Sequence, residues 1–169
     1  MINLIVLLSF FLDGLLSIYQ GPSFFDIISF KPMFTIVSLV LIYPFCLKNH
    51  PRYYKICIIV GALYDLLYTD TLVLNMVVFP LLGFIIYKLY IYFAENFLNT
   101  IIINIIVLGT YHVLIFLILC LIGYLSFDLS VLSYNFIGIL LTNTIFLIIL
   151  YFIIKMRGIK RTKRSRDCL

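Results

Sequence analysis

Long apolar stretches separated by short polar breaks run almost the whole length of the chain. A helix that crosses the hydrocarbon core of a bilayer needs about 20 mostly apolar residues, and this pattern predicts six such helices. The first runs from about Ile2 to Tyr19 and is closed by Gln20-Gly21-Pro22. After a loop with Asp26 and Lys31, the second starts behind Lys31-Pro32, where proline suits a first helical turn, and ends near Leu47. Lys48-Asn49-His50-Pro51-Arg52 is the strongest interior break. The stretch from Tyr54 to Phe93 is too long for one helix and too short for three, so Thr69-Asp70-Thr71 divides it into a hairpin-linked pair, closed by Glu95, Asn96 and Asn99. A fifth helix is expected over about Thr100 to Tyr124, a turn at Ser126-Phe127-Asp128, and a sixth over about Ser130 to Ile154. The reading is an all-α membrane protein: a six-helix transmembrane domain over 1–154 and a basic cytoplasmic tail over 155–169. The first apolar run lacks a basic leader and a small-residue cleavage site, which marks it as a retained helix.

Composition removes the soluble alternative. Sixty-four per cent of the 169 residues are hydrophobic and 11% charged, against roughly 45–50% and about 25% in ordinary globular chains. The distribution of the charge says more than the net +5. With both termini in the cytoplasm, the inner segments hold Lys48, Arg52, Lys55, Lys88 and the tail residues Lys155, Arg157, Lys160, Arg161, Lys163, Arg164 and Arg166. The outer segments hold Lys31 alone, and their turns carry Asp26, Asp70 and Asp128. That asymmetry follows the positive-inside rule and supports both the orientation and the even number of spans. A basic tail directly after a hydrophobic span points to anionic lipid at the membrane surface rather than to nucleic acid. The expected location is a bacterial inner membrane, with the chain crossing it several times.

Polar residues inside apolar spans are the informative ones, because an ionisable side chain at mid-membrane is costly unless it faces protein or water. Asp13 and Asp65 are the two candidates. Asp65 lies in Gly61-Ala62-Leu63-Tyr64-Asp65-Leu66-Leu67-Tyr68, with Gly61 and Asp65 on one helix face and Tyr64 and Tyr68 likewise paired. A glycine there admits a second helix, and the carboxylate can bond across the contact. Interfacial solvation near Thr69-Asp70 is the plainer reading. Asn75 and Asn143 are weaker candidates for bridging helices, and His112 reads as a packing histidine rather than a relay. Pro80 is expected to kink its helix, and Gly109 and Gly138 to mark close crossings. Cys46, Cys57, Cys120 and Cys168 form no metal-binding or disulfide pattern. There is no metalloprotease, hydrolase, phosphate-loop or dinucleotide motif. The sequence therefore predicts no catalytic residue, no cofactor and no metal, and the chain is not expected to be an enzyme.

Three stretches resemble the rod-shape-determining MreD family: Lys31-Pro32-Met33-Phe34-Thr35-Ile36-Val37, the Gly61 to Tyr68 segment, and Leu140-Leu141-Thr142-Asn143 with the basic end behind it. The family often has a Leu-Gly pair in the turn to the fourth span, where this chain has Thr71-Leu72-Val73-Leu74. The resemblance implies a non-catalytic scaffold or regulator of sidewall peptidoglycan synthesis. Its implied partners are an MreC-like membrane-anchored protein and MreB-associated cell-wall synthases, a transpeptidase and a glycosyltransferase. The resemblance also implies a fold shared with substrate-binding subunits of energy-coupling-factor vitamin transporters, and such a subunit is the alternative function. Against it, the first helix reads Leu7-Leu8-Ser9-Phe10-Phe11-Leu12-Asp13, without the AxxxA contact expected of those subunits.

Overall fold

The computed structural model describes residues 2–18, 32–47, 50–68, 73–93, 96–123, 127 and 136–156. These residues form six α-helices: α1 (Ile2–Ile18), α2 (Phe34–Ile42), α3 (His50–Tyr68), α4 (Leu74–Tyr92), α5 (Phe97–Leu121) and α6 (Phe136–Met156). A short 3-10 turn, Tyr43–Phe45, extends α2. There is no strand among the described residues. Three helices, α4, α5 and the Gly138–Met156 part of α6, are long and apolar enough to cross a membrane.

The bundle is built around α2. All nine of its residues are buried, and it packs against α1, α4, α5 and α6. The α3–α4 hairpin forms the most extensive pairing, α1 also touches α3, and α5 lies against both α4 and α6. Tyr53, Cys57, Phe79, Leu82, Ile86, Ile103, Val107 and Leu108 fill the larger part of the core with Leu39, Val40 and Ile42. A smaller cluster joins Val37 and Leu41 of α2 to Leu147, Leu150 and Ile154 of α6.

The polarity of this bundle is inverted relative to a water-soluble one. Large apolar side chains are exposed in helical stripes, as at Leu4, Leu7, Leu8, Phe11 and Leu15 on α1 and Leu141, Ile145, Ile149 and Phe152 on α6. Asp13, Asp65, Asn75, Asn104 and Asn143 are buried. Apolar surface outside and polar groups gathered within is what a hydrocarbon solvent imposes.

Several local differences from the sequence reading have physical causes. The second apolar run yields a helix of only nine residues, about 14 Å long at 1.5 Å per residue, well short of the hydrocarbon thickness. Pro32 lies outside α2 instead of in its first turn, and Met33 is the residue that caps it. The break at Lys48–Arg52 is shorter than expected, because His50, Pro51 and Arg52 already belong to α3; a proline in the first turn forfeits only an N–H that had no helical partner. Pro80 lies inside α4. α5 begins earlier, at Phe97, and stops where Gly123 adopts φ 78°, a left-handed conformation in which its N–H returns to the Cys120 carbonyl at 3.0 Å. α6 is described from Phe136, so the expected start near Ser130 and the turn residues Ser126 and Asp128 lie outside the described residues.

Candidate functional site

A helix start leaves backbone N–H groups without intrahelical acceptors, and in a lipid-embedded core no water satisfies them. The buried start of α2 is completed entirely from other helices and from its own cap. Asp13 of α1 reaches it with both oxygens: Oδ1 accepts from the Phe34 N–H at 2.7 Å, and Oδ2 from the Thr35 N–H at 2.8 Å and the Thr35 hydroxyl at 2.5 Å. Asn143 of α6 accepts from the Met33 N–H at 2.8 Å, while its own amide donates one turn back to the Ile139 carbonyl at 2.8 Å. The Met33 carbonyl takes the next two donors, Ile36 N–H at 3.1 Å and Val37 N–H at 3.2 Å. The positive end of the helix dipole adds to the attraction for the carboxylate.

The start of α4 repeats the device. Asp65 of α3 accepts from the Asn75 N–H at 3.0 Å and the Asn75 side-chain amide at 2.9 Å through Oδ1, and from the Met76 N–H at 2.9 Å through Oδ2. The Asn75 carbonyl oxygen of the side chain in turn accepts from the Tyr111 hydroxyl at 3.1 Å, which brings α5 into the same network. Gly61, one turn before Asp65, makes the approach possible: a methyl group there would run into the Asn75 backbone carbonyl and lie 3.0 Å from the Met76 Cα.

The other end of α2 is held by hydroxyls. Tyr53 of α3 donates to the Leu39 carbonyl at 3.2 Å, and Tyr90 of α4 to the Val40 carbonyl at 3.3 Å. Both rings stand about Tyr43, with centroids at 5.1 Å. Tyr68 donates to the Phe10 carbonyl at 2.8 Å and ties α3 to α1, its ring covering Gly14. Tyr64 packs between Tyr68, Phe79 and Phe10, with ring centroids at 5.0, 5.5 and 6.3 Å. Ser9 and Asn104 are fully buried, with no hydrogen-bond partner among the described residues for the serine hydroxyl or either amide atom.

The structure thus groups Asp13 with Asn143 at one helix start and Gly61 with Asp65 at another, with Tyr64 packed beside them. Gly109 makes no close crossing: a methyl there would meet only Phe136, at 3.6 Å. Gly83 does, with Cys57 Sγ and Tyr53 Cε1 both 3.2 Å from an added methyl. Gly138 is buried. His112 lies beside the Phe136 ring at 5.7 Å. Cys46 and Cys57 are buried free thiols. Lys155 is exposed at the end of α6, whereas Arg157 and the later tail residues, with Cys168, lie outside the described residues. Thr35, Tyr53, Tyr90 and Tyr111 carry hydrogen bonds that sequence reasoning did not assign; for the tyrosines, the only signal was a hydroxyl recurring within long apolar runs.

Both intramembrane carboxylates accept hydrogen bonds from helix starts, and among the described residues no three His, Cys, Asp or Glu side chains gather to hold a metal. The arrangement fastens helices together. Comparison with curated proteins and with solved structures found no match. The family model described as rod shape-determining protein MreD matches residues 1–157 of the 169-residue chain. A bundle with an apolar exterior, and a family match that extends across all six of its helices, lead to one assignment: the chain belongs to the rod shape-determining MreD family.

Proposed function

We propose that this chain is a non-catalytic, multi-pass scaffold of the bacterial inner membrane. It acts in the cell-elongation complex by holding an MreC-like membrane-anchored protein and, with it, the sidewall peptidoglycan synthases. The observation that carries the reading is the use made of Asp13 and Asp65. Each spends its oxygens on two backbone N–H groups and one side-chain donor at a helix start. Groups engaged in this way fix the bundle and are not poised for proton transfer or nucleophilic attack. A rigid bundle with an apolar exterior suits a protein whose work is to present helix faces to other membrane helices.

In this reading the chain crosses the membrane six times, with both termini in the cytoplasm. α1 and α3 are close to spanning length, and α2 contributes a short central helix whose first donors are satisfied by α1 and α6 and two of whose carbonyls are taken by α3 and α4. The energy-coupling-factor alternative finds no support in the family match. The test is cell shape. Depletion of the chain from a rod-shaped host should round the cells, and the wild-type chain should restore them. The Asp65→Leu chain should not, even where it accumulates in the membrane. Rods that persist through depletion, or full rescue by Asp65→Leu, would contradict the proposal.

A further inference from the structure

Arg52, Lys55, Lys88 and Lys155 are all exposed, and they share one end of the bundle. Arg52 precedes Asp65 on α3 by thirteen residues, Lys88 follows Asn75 on α4 by thirteen, and Lys155 follows Asn143 on α6 by twelve. At 1.5 Å per residue, these three cations lie about 18–20 Å along their helices from the buried polar groups at the two helix starts. They therefore lie toward the same end of the bundle, with Lys55 one turn further in. None of the four pairs with a carboxylate among the described residues, and the only described carboxylates, Asp13 and Asp65, are buried far from that end. Each of the lysines also stands next to exposed apolar side chains on its own helix. Ile58 and Ile59 follow Lys55, Phe84 and Ile91 flank Lys88, and Phe152 and Ile153 precede Lys155. The Lys88 ammonium lies 5.5 Å from the Phe84 ring centroid and 5.9 Å from that of Tyr87.

We infer that this group of cations binds the phosphates of anionic phospholipids, whose acyl chains lie along the apolar stripes beside each lysine. A charge above an apolar stripe is the arrangement that snorkelling side chains adopt at a lipid headgroup. A soluble acidic partner has no use for apolar residues beside every lysine, so the lipid fits better than an acidic peptide. The inference rests on the membrane-spanning reading and is independent of the role in cell shape.

The test uses the full chain, basic tail intact, in nanodiscs of phosphatidylcholine alone or with phosphatidylglycerol, measuring thermal stability and the phosphatidylglycerol retained per protein. Wild type should melt higher with phosphatidylglycerol and retain it selectively. Arg52→Gln, Lys55→Gln, Lys88→Gln and Lys155→Gln should each lower its apparent affinity by roughly fivefold, the factor expected for one basic charge at a membrane surface. Glycerol phosphate and a polyglutamate peptide should not compete. Equal stability in both lipids would overturn the inference, as would a selectivity that survives all four substitutions and so belongs to the tail. Effective competition by the soluble phosphate or by the peptide would overturn it too. Failure of the chain to incorporate into either nanodisc would instead count against the membrane-spanning reading.

Discussion

A carboxylate within the apolar interior of a membrane bundle is tolerated only when donors surround it, and Asp65 has three from α4. Asp65→Ala would strand two backbone N–H groups and an amide. At about 1–3 kcal/mol for each buried group left unsatisfied, the expected loss of stability is at least about 3 kcal/mol, read from thermal unfolding of the purified protein in mild detergent. Asp65→Asn keeps one acceptor oxygen and should recover part of that loss. Asn104 offers the opposite case, because both of its amide atoms are buried without a partner among the described residues. Asn104→Leu should leave stability unchanged or raise it by about 1–2 kcal/mol, and a large loss would show that the amide has a partner after all. Asp13 and Asp65 stand out in the sequence because they interrupt apolar runs. Their acceptors' partners do not, since a backbone N–H belongs to almost every residue and carries no mark. The Phe34 N–H lies 21 residues from Asp13 in the chain, a separation at which no local pattern operates.

Between elements, Gly61 admits no side chain because the backbone of α4 stands directly against it. Gly61→Val should separate α3 from α4 and uncouple the Asp65 cap, giving a protein that elutes as aggregate on size-exclusion chromatography. Gly109→Ala should be neutral or stabilise by up to about 1 kcal/mol from helix propensity, because the nearest atom is 3.6 Å from the added methyl. The glycine followed four residues later by aspartate was legible from sequence as a helix crossing. The relative tightness of Gly83 and Gly109 was not, because only the packed neighbour decides whether a glycine is pressed. The division of the Tyr54–Phe93 stretch was legible as well, and α3 and α4 end and begin on either side of Thr69-Asp70-Thr71. The shortness of α2 was hidden for a specific reason. Hydropathy responds to the run from Phe34 to Leu47 as it would to a span, whereas the α-helix gives way after Ile42 to a 3-10 turn that contains Pro44. Pro44 has no N–H to offer the Val40 carbonyl, which Tyr90 takes, as Tyr53 takes that of Leu39. Tyr53→Phe and Tyr90→Phe should each cost about 1 kcal/mol in the same unfolding assay.

At the scale of the whole molecule, the proposed topology puts the end of the bundle with Arg52, Lys55, Lys88 and Lys155 in the cytoplasm and the opposite end outside. Val73 at the start of α4 and Ile122 at the end of α5 are exposed at that outer end. With the native cysteines replaced, Val73→Cys and Ile122→Cys should react with a membrane-impermeant maleimide in intact spheroplasts. Arg52→Cys and Lys155→Cys should react only after permeabilisation, and the reverse pattern would invert the proposed topology. Most directly decisive is affinity capture of the tagged wild-type chain from gently solubilised membranes of its host, read by mass spectrometry. An MreC-like protein with the transpeptidase and glycosyltransferase of sidewall synthesis should come with it. Recovery of two ATPases and a coupling subunit, or of none of the elongation proteins, would contradict the scaffold reading.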